Sequence, residues 1–423
     1  MGNRKNKRSL VNVVMGVIGA IVVVIAAYFG IDLSDNPDFQ QAATEVADFF
    51  AEPDPTQPGT LPEQNTPVAA APGSVRTIAL REGFGATKSF WQVYFTEPTL
   101  NDADAEDTCM GGVDEIIVSL IENTQRTLDI AAFEWKNACI TRAVIDAAER
   151  GVQVRMVVDD EHVVEENEEY ILEGEVSPFQ WIIDAGIPWR DDDRSALMHN
   201  KFMIFDGTLV TTGSMNYTPR GTYSNNNNVV VLRSQPAVRT YQDEFNEMYV
   251  DGIFGPRGAR PNDAEFTQDG IPIRVVFSPD DPVETILAEE LSRAQEEIRF
   301  MTFSFTLESI GVILLENAAA GIDVEGIFET RASETEFSEL PRLFCAGLPV
   351  YQDGNSETFH HKVFIVDRTT VLTGSFNISN NATTSNDENM VIIRDPDLAA
   401  QFIAEYERMR ARARVPDGDF ACP

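Results

Sequence analysis

The hydrophobic positions of the chain follow helical spacing in some segments and strand-like spacing in others, and the same order of segments occurs twice. Helical spacing is found in VDEIIVSLIENTQ, which begins at Val113, and in VETILAEELSRAQ, which begins at Val283. Each is followed by a short apolar run typical of a buried strand, LDIAAFEW in the first half and IRFMTFSF in the second. The next helical segment of each half ends at a glycine, Gly151 or Gly321, which suits the C-terminus of a helix.

The two halves keep a constant offset over most of their length. The two glycines are 170 residues apart, whereas His199 and His360 are only 161 apart, so the second half lacks nine residues between these landmarks. The longer loop of the first half carries the acidic stretch DDEHVVEENEEYILEGE. We expect this stretch to be a solvated surface insertion and His162 to be an exposed loop histidine.

This alternation of strands and helices predicts an α/β fold made of two lobes related by a pseudo-twofold axis. Each lobe is expected to be a mixed, mostly parallel β-sheet flanked by helices on both faces. We place the first lobe at residues 76–255 and the second at 256–413, followed by a C-terminal tail at 414–423.

The amino-terminal part of the chain has a different pattern. Residues 1–32 combine a basic start, MGNRKNKRS, with a stretch from Val13 to Ile31 that has no charged residue. About 20 apolar residues span a bilayer as a helix, and a basic flank stays on the cytoplasmic side. We therefore expect a single membrane anchor with the folded part outside the cytoplasm, a cleaved signal peptide being the alternative. Residues 33–75, rich in Pro, Ala and acidic side chains, are expected to form a disordered linker.

The charge balance narrows the class of ligand. The 423 residues carry 68 acidic and 32 basic side chains, which gives a net charge of −36. Such a surface repels polyanions, so nucleic acid is a disfavoured partner, although a local basic cleft is compatible with an acidic protein.

The cysteines bear on the compartment. They form no C-x-x-C pair, so no zinc site is predicted. For an exported domain, one disulfide in each half is the natural pairing among three connectivities, and four buried thiols are the alternative. The cysteines are Cys109, Cys139, Cys345 and Cys422.

The most specific feature is a doubled polar motif. HNKFMIFDGTLVTTGSMNYT begins at His199, and HHKVFIVDRTTVLTGSFNIS begins at His360. Imidazole can attack as a nucleophile or pass a proton, and lysine, serine and asparagine donate hydrogen bonds to phosphate oxygens. His199 and Lys201 lie two apart, so a strand directs both to one face. Asp206 ends that strand and is expected to fix the structure.

A pairing of the two halves would bring both motif histidines to one cleft. One could attack phosphorus while the other protonates the leaving oxygen, which divides a phosphodiester displacement into two steps through a phosphohistidine. Since the two motif lysines can neutralise the developing charge, we expect neither a metal nor another cofactor.

The paired motifs resemble the HKD motifs of the phospholipase D superfamily, and the resemblance covers about residues 76–413. It implies metal-independent phosphohistidine chemistry in a two-lobed α/β fold, with the site between the lobes. By motif position, it assigns the catalytic set to His199, Lys201, Asp206, His360, Lys362 and Asp367. It assigns substrate binding to Ser214, Asn216, Ser375 and Asn377.

Members of this superfamily usually carry a downstream acid that orients the histidine. SNDENMVII supplies Glu388 in the second half, but SNNNNVVVL places Asn227 at the aligned position of the first half. We group both with the substrate-binding residues. Because an amide supports an imidazolium less than a carboxylate does, we expect the two histidines to titrate differently. By analogy with two-motif members, His199 is expected to be the nucleophile and His360 the general acid.

Three activities and one non-catalytic role fit the motifs. The anchor and the acidic surface favour a phospholipase D that releases phosphatidic acid and an alcohol from phospholipids. The alternatives are an endonuclease and a phosphatidyltransferase of the cardiolipin-synthase type, whose relatives usually show two amino-terminal membrane segments. A binding scaffold is disfavoured because both motifs are intact. We expect a monomer.

Overall fold

The computed structural model describes residues 74–99, 108–257 and 260–418, together with residues 420 and 422. The expected anchor and nearly all of the expected linker lie outside the described residues. Within the described ranges, the helices are all too short or too polar to span a bilayer.

The first half contains a sheet of nine strands in the described part of the chain. The strands are β1 (Arg76–Ala79), β2 (Phe84–Lys88), β3 (Trp91–Phe95), β4 (Thr127–Ala132), β5 (Gln153–Val158), β6 (Trp189–Asp191), β7 (Lys201–Phe205), β8 (Leu209–Gly213) and β9 (Asn228–Leu232). The helices are α1 (Val113–Glu122), α2 (Ala138–Glu149), α3 (Glu166–Glu173), α4 (Pro178–Asp184), α5 (Pro219–Tyr223) and α6 (Gln235–Asn246). Two π-helical segments occupy Asp160–Glu165 and Glu247–Asp251.

The second half contains a sheet of eight strands among the described residues. The strands are β10 (Ala264–Gln268), β11 (Ile271–Ser278), β12 (Glu297–Thr302), β13 (Asp323–Phe328), β14 (Val350–Gln352), β15 (Lys362–Val366), β16 (Thr370–Gly374) and β17 (Glu388–Ile393). The helices are α7 (Val283–Ser292), α8 (Glu308–Ala319), α9 (Glu339–Cys345), α10 (Asn380–Thr384) and α11 (Pro396–Arg410).

Both sheets are mixed and flanked by helices, which confirms the predicted fold class. Their orders are β1-β2-β3-β9-β8-β7-β4-β5-β6 and β10-β11-β17-β16-β15-β12-β13-β14. Parallel neighbours are confined to β4-β5-β6 and β12-β13-β14, where helices make the connections. The expectation of mostly parallel sheets is therefore wrong, because tight turns pair β7 with β8 and β15 with β16 as antiparallel neighbours.

A hydrophobic core lies between the two sheets and contains buried residues from both halves. Tyr241 of α6 illustrates the packing, since its ring lies 5.1 Å from Phe202 of the first half and 5.2 Å from Phe277 of the second. Each half has a further core of its own on the other side of its sheet. The halves therefore meet through a dry interior, which fixes the position of one motif relative to the other.

One disulfide lies in each half. Cys109 pairs with Cys139, and Cys345 pairs with Cys422. The structure thus adopts the pairing expected for an exported domain rather than four free thiols.

Candidate active site

Each motif histidine is held by backbone hydrogen bonds to the opposite half. The amide of His199 donates to the carbonyl of Asp387 at 2.9 Å, and the amide of His360 donates to the carbonyl of Asn226, also at 2.9 Å. Both imidazoles are buried. The two motifs therefore begin where the halves interlock, and the positions of their side chains depend on that contact.

The partners of the imidazoles also cross between the halves. Nδ1 of His199 lies 2.7 Å from Oε2 of Glu388, and Nδ1 of His360 lies 2.9 Å from Oδ1 of Asn227. The downstream position found in the sequence thus serves the histidine of the other half, which no comparison within one half could reveal. Because Nδ1 of each ring is engaged, Nε2 is the nitrogen left for chemistry.

The serines of the motifs hold these partners in place. Ser214 donates to Oδ1 of Asn227 at 2.8 Å, and Ser375 donates to Oε2 of Glu388 at 2.7 Å. Both hydroxyls also accept a backbone amide, and neither side chain is exposed. The two serines therefore position Asn227 and Glu388, and the substrate binding expected of them from the sequence stays a prediction.

The glycine before each motif serine allows the backbone of the neighbouring strand to lie close to the motif. A Cβ on Gly213 would lie 2.2 Å from the carbonyl oxygen of Asn228, and one on Gly374 would lie 2.2 Å from that of Asn389. Both glycines have positive φ, at +147° and +154°, which side chains rarely adopt.

The motif lysines are buried beside aromatic rings. Nζ of Lys201 donates to the carbonyl of His199 at 2.7 Å and lies 4.5 Å from the ring centre of Phe133. Lys362 makes the same contacts with His360, at 3.0 Å, and with Phe303, at 4.7 Å. Burial lowers the pKa of Lys201 to about 7. Burial, and then the charge of Lys201, lowers the pKa of Lys362 well below its usual value.

Burial and nearby charge also act on the imidazoles. Burial, and then the charges of the two lysines, lowers the pKa of both His199 and His360 well below the ordinary value. Burial raises the pKa of Glu388 to about 7, with Lys201 opposing it. The site is therefore a buried cluster of basic groups that become protonated most readily when an anion lies beside them.

The motif aspartates lie elsewhere. Asp206 directly follows β7, at the end remote from His199, and accepts the backbone amides of residues 125–127 at 2.6 to 3.2 Å. Asp367 follows β15 and accepts the amides of residues 295–297 at 2.8 to 3.1 Å. The structure thus corrects their inclusion in the catalytic set, because both carboxylates hold the turn at the far end of the motif strand.

The residues between each histidine and lysine join the halves. Asn200 accepts a hydrogen bond from Nδ2 of Asn389 at 2.7 Å. His361 lies 3.2 Å from Asn228 and 3.2 Å from Glu405. His361 is therefore a buried interface residue and not part of the reactive pair.

His162 lies beside the site, contrary to our expectation of an exposed loop histidine. Its Nδ1 lies 2.9 Å from Oδ1 of Asp159, and its ring centre lies 4.3 Å from that of Phe133. Phe133 in turn lies 4.6 Å from the ring of His199. The location of the acidic stretch could have indicated this, because the stretch starts directly after β5, at the sheet edge where the site forms.

Sequence reasoning also missed Arg194, a charged residue that contacts Asp387 directly before Glu388. Arg194 donates to Asp192 at 2.9 Å, to the carbonyl of Ser385 at 2.9 Å, and to the carboxylate of Asp387. In the other half, the neutral Asn355 bonds to the backbone of Ser224 and the side chain of Asn226. The contact next to Glu388 is therefore ionic, whereas the contact at the equivalent position of the other half is made by an amide.

Two imidazoles with free Nε2 atoms, two buried ammonium groups and two motif amides constitute a site for displacement at a phosphodiester. The two similar α/β halves and the paired motifs at their junction are the arrangement expected for the phospholipase D superfamily. The family model described as "Cardiolipin synthase, PLD-like domain" matches residues 117–249 and 287–410, which together exceed half of the chain. The chain belongs to this family of the phospholipase D superfamily.

Individual relatives agree with this assignment. The mitochondrial cardiolipin hydrolase of Xenopus tropicalis is 31% identical over 133 residues, which are 31% of this chain and 59% of that protein. This chain therefore spans less than two thirds of that relative. The phospholipase D of Rickettsia bellii is 28% identical over 140 residues, 33% of this chain and 70% of that protein.

A solved structure shares the fold. The phosphatidylserine synthase of Haemophilus influenzae Rd KW20 superposes with a TM-score of 0.58 at 16% identity, over 74% of this chain and 88% of that chain.

Proposed function

We propose that the protein hydrolyses phospholipid phosphodiesters to phosphatidic acid and an alcohol, through a phosphohistidine formed on His199. The observation that carries this proposal is the unequal partnering of the imidazoles, with the carboxylate of Glu388 behind His199 and the amide of Asn227 behind His360. A carboxylate stabilises the positive charge that develops on an attacking imidazole. An amide accepts the hydrogen bond without binding the proton, so His360 remains free to give its own proton away.

In the first step, Nε2 of His199 bonds to phosphorus while the bond to the leaving oxygen breaks. His360 gives its Nε2 proton to that oxygen, and the alcohol leaves neutral. The negative charge of the diester offsets the repulsion between Lys201 and Lys362, so both ammonium groups can bind phosphoryl oxygens. The same charge raises the pKa of His360, which burial otherwise keeps neutral.

In the second step, water attacks phosphorus and gives a proton to His360, and the bond between phosphorus and His199 breaks. The products are phosphatidic acid and an enzyme whose acid has been restored. Since the charged groups are those of the chain itself, we expect activity to be insensitive to EDTA.

Two observations support a lipid substrate. The relatives described above are named as a cardiolipin hydrolase and a phospholipase D. The net charge of −36 opposes a polyanion such as DNA. An anchor at residues 13–31 would place the site beside a membrane, and the two disulfides support a location outside the cytoplasm.

The test uses the full chain with phospholipid vesicles, single-stranded DNA and bis-p-nitrophenyl phosphate in parallel. We expect vesicle hydrolysis with EDTA present, and a loss of at least about 1,000-fold in His199→Ala and in His360→Ala. Rapid denaturation in detergent at mildly alkaline pH during turnover should trap label from the phosphatidyl group on the protein in wild type but not in His199→Ala.

The control is Glu168→Ala, because Glu168 is an exposed residue of α3 outside the site. It should keep wild-type activity. Cleavage of DNA without lipid turnover would overturn the lipase proposal, and full activity in the double histidine variant would overturn the mechanism. Label trapped in His199→Ala and not in His360→Ala would reverse the two roles.

A further inference from the structure

The two halves of the site differ at one position beside the motif lysines. Glu134 follows Phe133, the aromatic residue that contacts Lys201, and Ser304 follows Phe303, which contacts Lys362 in the same way. The residues after them, Trp135 and Phe305, form matching bridges to Tyr217 and Ile378. Glu134 and Ser304 are therefore equivalent positions, and only the first half places a carboxylate there.

The carboxylate of Glu134 engages an amide of the motif. Nδ2 of Asn216 donates to Oε2 of Glu134 at 2.5 Å. The other atom of this amide, Oδ1, is buried and has no hydrogen-bond partner among the described residues, and the same holds for Oδ1 of Asn377 in the second half, so the carboxylate alone distinguishes the two sides. A buried acceptor without a donor is costly unless a ligand supplies one. Glu134 and Asn216 thus present two neighbouring acceptors.

The charge of Glu134 acts on the reactive groups. Burial lowers the pKa of Lys201 and of Lys362, and Glu134 is among the carboxylates that oppose this effect. A carboxylate in this place repels the phosphoryl oxygens of any substrate. A hydrogen-bond donor or a positive charge next to the phosphate of the substrate offsets this repulsion.

We propose that Glu134 and Asn216 bind a hydrogen-bond donor on the alcohol portion of the phosphodiester, either a hydroxyl or an ammonium group. This inference rests on the proposed function and adds the chemical class of the head group. It makes Glu134 a specificity-determining residue, with Ser304 showing what the position looks like without that role.

The experiment compares four lipids in otherwise identical vesicles with the full chain. Phosphatidylethanolamine offers an ammonium donor and phosphatidylglycerol a hydroxyl donor. Phosphatidylcholine offers a cation without an N–H, and phosphatidylmethanol offers neither. The variants are Glu134→Ser, which copies the second half, and Glu134→Gln, which keeps the size of the side chain in case the serine variant folds poorly.

We expect Glu134→Ser to lower kcat/KM for the lipid class that wild type prefers by about tenfold or more relative to its effect on phosphatidylmethanol. A loss confined to phosphatidylethanolamine identifies ammonium as the donor, and a loss confined to phosphatidylglycerol identifies hydroxyl. Glu134→Gln should retain part of the hydroxyl preference and little of the ammonium preference. Glu168→Ser is the matched control and should behave as wild type.

An equal loss on all four lipids in both variants would overturn the inference, since it would indicate a purely structural role. An unchanged selectivity profile, or a preference that follows the positive charge of phosphatidylcholine instead of the donor, would overturn it too. If wild type cleaves none of the four lipids, the proposed function itself fails. The two failures are therefore distinct.

Discussion

At the scale of single residues, the two reactive histidines share a motif but not an environment. Glu388 bonds to His199, and its neighbour Asp387 is tied to Arg194. Asn227 bonds to His360 without any ionic group in the corresponding place. In the proposed mechanism, this difference gives His199 the role of nucleophile and His360 that of acid, which the motifs alone do not distinguish.

The buried lysines allow a prediction about stability. The pKa of Lys201 is about 7 in the folded protein and near 10.5 in the unfolded chain, so between these values the unfolded state binds the extra proton. Stability contributed at this position therefore rises with pH from about 7 to 10.5. Lys201→Met should remove roughly 2 kcal/mol of that rise between pH 7.5 and 9.5, measured by urea unfolding at both values.

The same variant should be inactive and, at pH 7.5, at least as stable as wild type, because methionine fills the space without a charge. Glu168→Ala should leave the pH dependence unchanged. If Lys201→Met kept the full wild-type rise, the lysine would not be the titrating group.

At the scale of residues, the sequence predicted which motif side chains lie together at the candidate site, but not their hydrogen-bond partners. The spacing of histidine and lysine, and its recurrence, were sufficient to select His199, Lys201, His360 and Lys362. The pairing of Glu388 with His199 was not predictable, because it depends on how the halves dock. Glu134 and His162 were missed because a lone acidic or histidine residue in a loop carries no periodic signal.

At the scale of elements, each motif strand is fixed at both ends. Its start pairs with the opposite half, and its end is held by an aspartate that accepts three backbone amides. Burial alone raises the pKa of Asp206, but these amides outweigh it and lower the pKa below its usual value. The stabilisation from Asp206 is therefore present at neutral pH and is lost as the pH falls through the lowered value.

This arrangement predicts that removal of either aspartate lowers the stability of the protein and leaves its catalytic rate nearly unchanged. Asp206→Ala and Asp367→Ala should each lower the free energy of unfolding by about 2 kcal/mol, measured by urea titration at pH 7. Below the transition, kcat should stay within about threefold of wild type, because the carboxylates do not reach the site. Asp206→Asn should lose less stability, since its amide oxygen still accepts hydrogen bonds. A loss of kcat comparable with that of His199→Ala would contradict the structural role.

The elements themselves were largely predictable, and their directions were not. Helical periodicity and the terminal glycines located the helices that precede and follow β4 and β12. Short apolar runs identified strands but carry no information on whether neighbours run parallel or antiparallel. The tight connection between β7 and β8 decides that direction, and the sheet is mainly antiparallel as a result.

At the scale of the whole molecule, two disulfides close loops of different length. Cys109 and Cys139 are 30 residues apart, and Cys345 and Cys422 are 77 apart. If loss of unfolded-chain entropy dominates, removal of the longer link costs more. We expect the Cys345→Ser/Cys422→Ser variant to be about 1 kcal/mol less stable than Cys109→Ser/Cys139→Ser, measured by urea unfolding without reductant.

The control is wild-type protein in excess reductant. Because both disulfides are then broken, this protein should be less stable than either double variant. An equal cost for the two links, or a larger cost for the shorter one, would show that native-state packing outweighs the entropy of the unfolded chain. Free thiols in protein purified from its natural compartment would contradict the proposed location outside the cytoplasm.

The exchange of histidine partners between the halves has an evolutionary consequence. A change at Glu388 is felt by the motif at His199, about 190 positions earlier in the chain, and a change at Asn227 is felt by the motif at His360. Selection on either gene segment therefore acts on both. With a carboxylate in one segment and an amide in the other, the two copies are not interchangeable, and each supplies the partner of the other's histidine.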